Sequence, residues 1–140
     1  MNQMAERRGA TLRMLVPIAY MALIFALSSI PSTSGAGDFG VRRPDTWLSS
    51  PIQNSLHIPV YGLLAVLLWW SLIPWARSAR LQATTACLVA GAYGVLDELH
   101  QMIVPGRSSS ITDVLLNFAG VAVGASLFGY VHRKRTAERL

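Results

Sequence analysis

Between residues 97 and 117 the chain reads DELHQMIVPGRSSSITDVLLN, which crowds Asp97, Glu98, His100, Gln101, Arg107, Asp113 and Asn117 into one short segment. These residue types can do chemistry. An imidazole beside two carboxylates makes an acid–base pair tuned by its surroundings. An arginine beside the free amides of a helix start makes a receptor for phosphate or carboxylate, although Asp113 in the first turn opposes an anion unless it is neutralised. His57, His100 and a carboxylate could together ligate a divalent metal. No zinc spacing such as H-E-x-x-H is present, so the sequence alone assigns no metal ligand and names no cofactor. Walker, G-x-S-x-G and dinucleotide fingerprints are also missing from the sequence.

The elements that must position these groups are apolar. The 140 residues are 52% hydrophobic and only 14% charged, against about 25% charged in an ordinary soluble domain. Four stretches, roughly Leu12–Ile30, Leu56–Trp75, Ala83–Val104 and Ile111–Val131, approach or exceed the length needed to cross hydrocarbon. The run from Leu63 to Trp70 offers no polar face to water. The expected fold is all-α, an integral membrane four-helix bundle with a domain over residues 12–131, preceded by a cytoplasmic segment 1–11 and followed by a basic tail 132–140. Ionisable groups at membrane depth are expensive, so in this setting they point to function by default.

The charge of +5 reads as topology rather than nucleic-acid binding. Nine of the twelve basic residues fall at alternate ends of the stretches: Arg7, Arg8 and Arg13, then Arg77 and Arg80, then Arg133, Lys134, Arg135 and Arg139. The positive-inside rule then places both termini in the cytoplasm and the 31–55 and 105–110 loops outside, with attraction to anionic membrane lipid as a by-product. The apolar run Met14–Ile30 is longer than a usual secretory h-region and no clear A-x-A site follows, so it reads as a retained span. Cys87, the single cysteine, reads as a small packing residue.

Helix punctuation and phase sharpen the picture. Pro31 stops the first helix, and the polar stretch 32–55 makes one long loop whose Trp47-Leu48 can dip into the outer interface. Asn54 or Ser55 can cap the second helix, and Trp69, Trp70 and Trp75 suit an interfacial belt at its cytoplasmic half. Ser110 and Asp113 outline a capping box for the fourth. Gly120 and Gly124 give that helix a close-packing face, which would also suit a homo-oligomer. With both termini inside, His57, Tyr61, Asp97 to Gln101, Asp113 and Asn117 all fall within roughly 10 Å of the outer boundary at 1.5 Å per residue. Taking Asp97 as zero, His100 lies near about −60°, Gln101 near about +40° and Glu98 near about +100° on one arc of the third helix. The economical picture is a polar pocket open to the outside. Asp97, Glu98 and His100 would be the reactive or proton-handling groups, and Arg107, His57, Tyr61, Gln101, Asp113 and Asn117 would bind and shape. Structural roles compete with this for some of them: Asp113 as a helix-start carboxylate, Asn117 as interhelical glue, His57 and Tyr61 as a pair tying the bundle.

Ser28-Ser29-Ile30-Pro31, His57-x-x-x-Tyr61 and the run Asp97-Glu98-x-His100-Gln101, Pro105-Gly106-Arg107, Asp113, Asn117 and Gly120 together resemble the VanZ-like membrane proteins over nearly the whole stretch 12–131. Asn54 stands where members of that family often carry lysine. The resemblance implies a protein of the bacterial cytoplasmic membrane and cell envelope, in a family whose founding member is associated with resistance to the glycopeptide teicoplanin. It does not imply that this chain confers resistance. The expected function is binding of, or action on, an anionic lipid-linked envelope precursor, with enzymatic turnover left open. A non-enzymatic carrier, ion relay or accessory membrane subunit is the alternative.

Overall fold

The computed structural model describes residues 2–31, 55–76, 78–107 and 109–138. Among them it is all-α, with four helices: α1 (Asn2–Ser28), α2 (His57–Leu72), α3 (Ala79–Gln101) and α4 (Ile111–Ala137). The expected interfacial role of Trp47-Leu48, the cap at Asn54, and Arg42, Arg43, Arg77 and Arg139 lie outside the described residues.

The helices do not begin and end where the apolar stretches do. Hydrogen bonding continues through the basic residues on the flanks, so α1 starts at Asn2 rather than Leu12 and α4 runs to Ala137. Two helices are long and apolar enough to cross a bilayer, α1 from Arg7 to Ser28 and α4 from Ile111 to Ala137. The other two fall short of that test for different reasons. Helix α2 is apolar throughout but has 16 residues, about 24 Å against the ~30 Å of a hydrocarbon core. Helix α3 has 23 residues but is interrupted by Gln82, Thr84, Thr85, Asp97 and Glu98.

Helix α2 is the centre of the bundle and packs most extensively against α4. The reason is glycine. Gly62 of α2 faces Gly120 and Gly124 of α4, and a Cβ added to Gly124 would run into the Gly62 backbone while one on Gly120 would run into that of Ile58. Backbones can come this close only where side chains are missing. The face that the sequence offered to a second copy is thus occupied within the chain. Around the seam Tyr61, Leu64, Ala65, Ala90 and Val121 form the buried core, joined by Ile24 of α1. Helix α1 is the most loosely held and presents Leu12, Leu15, Ile18, Leu23, Phe25 and Leu27 outward. Pro17 is buried inside it, where the missing amide breaks one helical hydrogen bond.

At the end of the bundle that holds the α2–α3 link, one expectation needs correcting. Trp69 is buried, not part of a surface belt: its indole N–H donates to Gln82 Oε1 at 3.1 Å and its ring meets Phe128 at 5.3 Å between centroids. Polar Gln82 on the facing helix satisfies the indole, which makes burial affordable in energy terms. Trp70 is half-buried with the Arg13 guanidinium 5.2 Å from its ring centre, and only Trp75 stays exposed as a belt residue would.

Candidate functional site

The polar cluster gathers at the opposite end, where α1 and α3 finish and α2 and α4 start. Ser110 caps α4: its hydroxyl accepts from the Asp113 amide at 3.1 Å and donates to Asp113 Oδ2 at 2.8 Å. This satisfies an orphan amide and fixes the first-turn carboxylate. Asn117, one turn further on, is buried. Helix α2 starts at His57 with Leu56 before it, and the Leu56 side chain offers no cap. Pro59 falls in the first turn, where no intrahelical bond from its nitrogen is needed. Helix α3 ends at Gln101, and Gly106, at φ 71°, turns the chain toward α4 in a conformation other residues adopt with difficulty.

The arc of α3 that the helical phase made polar fans out over three neighbours. Asp97 turns to α2, where its Oδ2 accepts from the Tyr61 hydroxyl at 2.9 Å and from Gln101 Nε2 at 3.0 Å. Gln101 passes the chain of bonds on, since its Oε1 accepts from Arg107 at 3.3 Å. The Arg107 guanidinium also donates to the Leu27 and Ile30 carbonyls at 2.9 and 3.3 Å, so a cation sits on the negative end of α1. Glu98 turns to the α2–α4 seam, with His57 Nδ1 3.7 Å from its Oε1. His57 Nδ1 lies 2.8 Å from Asn117 Oδ1, and the Asn117 amide nitrogen donates to the Gly94 carbonyl at 3.3 Å. Gly94 makes room for this: a Cβ there would press on both Asn117 and Tyr61.

His100 goes elsewhere. Its Nε2 is 3.0 Å from the Ser29 hydroxyl and its ring packs on Phe25 at 4.5 Å, so it ties α3 to α1. The acid–base pairing expected of His100 with Asp97 or Glu98 gives way to an imidazole bonded to α1, with His57 as the histidine beside a carboxylate. The reason is phase: about 100° per residue sends positions 97, 98 and 100 toward different helices. The metal grouping changes likewise. Not His57 with His100, but His57, Glu98 and Asp113 bring one ligand atom each to within 4.8 Å of one another.

The electrostatics are unusual for a buried place. Asp97, Glu98 and Asp113 are all at least nine-tenths buried. Among the described residues, both oxygens of Glu98 and the Oδ1 atoms of Asp97 and Asp113 are buried without a hydrogen-bond partner. A buried carboxylate oxygen left this way costs about 1–3 kcal/mol or more, so each needs a proton, a cation or a ligand.

Beside the cluster lies a cavity of about 290 Å³ between α1, α2 and the end of α3. Its wall is apolar, from Leu23, Ile24, Leu27 and Val60, and its polar end carries His57, Tyr61, Asp97 and Arg107. Ser28 and Tyr20 line it too; sequence reasoning missed both, and the signal for Ser28 lay only in the short Ser-Ser-Ile-Pro piece. Tyr20 is fixed by a bond to the Val60 carbonyl at 3.2 Å. A second cavity of about 350 Å³ at the far end is lined by Trp69, Gly129, His132 and Arg133, away from the carboxylates.

A family model described as VanZ/LLP1 matches residues 2–132, nearly the whole chain and every residue of this cluster. No curated protein and no solved structure matches.

Proposed function

The chain belongs to the VanZ/LLP1 family, and from that premise we propose that it is a multi-pass protein of the bacterial cytoplasmic membrane that receives the headgroup of an anionic, lipid-linked envelope precursor at the Tyr61–Asp97–Arg107 end of its cavity. Both termini lie in the cytoplasm on this reading, and the cavity opens outward. Several features support it. Helices α1 and α4 are long and apolar enough to span, and Leu88, Leu96, Leu115 and Leu127 add exposed apolar surface on α3 and α4 that water would disfavour. The shorter α2 is continued by Ile73-Pro74-Trp75, and α3 turns its carboxylates inward rather than toward lipid.

The observation that carries the reading is the two-sided cavity: an aliphatic wall on α1 and α2 suits a lipid chain, and the polar end suits a headgroup. Arg107 supplies the positive charge at its edge. The test uses full-length protein in nanodiscs doped with a polyprenyl phosphate, with retention read by native mass spectrometry and product by lipid extraction. Wild type retains or converts the lipid, Leu27→Trp, which narrows the cavity at its open side, lowers both, and Glu98→Gln alters the response. No retention and no turnover above a phosphatidylcholine background would sink the proposal.

A further inference from the structure

Glu98 poses a question that the lipid reading leaves unanswered. It is 2% exposed, and neither of its oxygens has a hydrogen-bond partner among the described residues. His57 Nδ1, at 3.7 Å, is too far for a hydrogen bond, and the Ser109 hydroxyl beside Glu98 offers one oxygen to a group with two. Buried charges of this kind are paired or bind metal. We propose that His57, Glu98 and Asp113 form a binding site for a first-row divalent metal ion, with the Asn117 amide oxygen as a further donor.

The geometry points the same way at each ligand. One donor atom from each of the three residues falls within 4.8 Å of the others. Tetrahedral bonds of about 2.1 Å set donors about 3.4 Å apart, so side-chain adjustments of about an ångström close the site. Asp113 is held at Oδ2 by Ser110 while its Oδ1 is left buried and unpartnered. Asn117 is held at its nitrogen by the Gly94 carbonyl, which aims Oδ1 at His57. Such outer bonds fix the direction of metal ligands. Two carboxylates balance a dication, and an imidazole with carboxylates favours Zn²⁺ or Mn²⁺ over Ca²⁺ or Mg²⁺. Three firm ligands leave positions for water or an exogenous oxygen, as in open metal sites. His57, 20% exposed and shared with the cavity wall, is the way in.

The site stands without the lipid reading, because binding is measured in the absence of lipid. Tag-free full-length protein in detergent is stripped with chelator, dialysed against Zn²⁺ or Mn²⁺ and assayed by elemental analysis and thermal unfolding. The expected result is one ion per chain and a metal-dependent rise in unfolding temperature. Glu98→Gln and Asp113→Asn each weaken binding at least tenfold and abolish the rise, while His132→Gln, on the far end of α4, changes neither. Glu98→Gln is isosteric and removes a buried charge, so its metal-free form folds at least as well as wild type, which a single elution peak and helical circular dichroism verify. Binding well below one equivalent, or binding that survives Glu98→Gln, would overturn the proposal. Metal binding with no lipid retention would count against the lipid reading alone, and the reverse against the metal site alone.

Discussion

The α2–α4 seam brings His57 and the start of α4 together beside Glu98, and one alanine tests it. Gly124 faces the Gly62 carbonyl, carbonyl carbon and Cα, and an added Cβ would overlap all three. No rotamer change relieves a clash with backbone, so the helices must separate. Overpacking of this kind costs about 1–3 kcal/mol, occasionally more, against a gain of up to ~1 kcal/mol from replacing a helical glycine by alanine. Gly9, in α1 with nothing within 4 Å of its added Cβ, isolates the propensity gain and serves as the control. Gly9→Ala should therefore be neutral or stabilising, and Gly124→Ala destabilising by about 1 kcal/mol or more net. Gly62→Ala, whose Cβ would meet the Gly120 carbonyl oxygen at 3.0 Å, should fall between them. The assay is reversible unfolding in mixed micelles, with SDS fraction as the denaturant and helical circular dichroism as the signal. A Gly124→Ala protein as stable as Gly9→Ala would refute the seam.

Two further outcomes follow from single bonds. Tyr61→Phe keeps the buried ring but removes the donor to Asp97, a loss of about 1.5–3 kcal/mol for a bond to a charged group. A double-mutant cycle with Asp97→Asn should give a coupling energy of about 1 kcal/mol or more, whereas additivity of the two changes would mean that the bond is not made. Ser110→Ala removes both bonds that Ser110 makes with Asp113, and should cost about 1 kcal/mol of stability; no measurable loss would argue against the cap.

What the sequence made legible, it made legible through helical phase. Asp97, Glu98 and Gln101 fall on one arc at 100° per residue, and all three are buried while Leu96, Leu99, Met102 and Ile103 face out. The Ser110–Asp113 cap was equally readable, because it depends only on neighbours in sequence. Which neighbour each polar group meets was not readable, since that depends on where α1 and α4 stand around α3. His100 found Ser29 and Phe25 for that reason, and Glu98 found His57 and the α4 start. Trp69 misled because an indole reads as interfacial from sequence until its partner is known, and Gln82 lies thirteen residues away across a turn. Gly120 and Gly124 marked a close contact correctly but not with whom, because a small-residue face fits a helix of the same chain as well as one of another.

The claim that matters most is that the cavity between α1 and α2 holds the headgroup end of an envelope lipid. A polyprenyl phosphate carrying a diazirine near its phosphate, photolysed with wild-type protein in nanodiscs and mapped by peptide mass spectrometry, tests it directly. Crosslinks should concentrate at the polar end of the cavity, in residues 56–61, 97 and 107 with Leu27 and Ser28 beside them, and fall in Leu27→Trp. Crosslinks spread evenly over the exposed apolar surface, to Leu88, Leu115 and Leu127 as often as to the cavity, would contradict it.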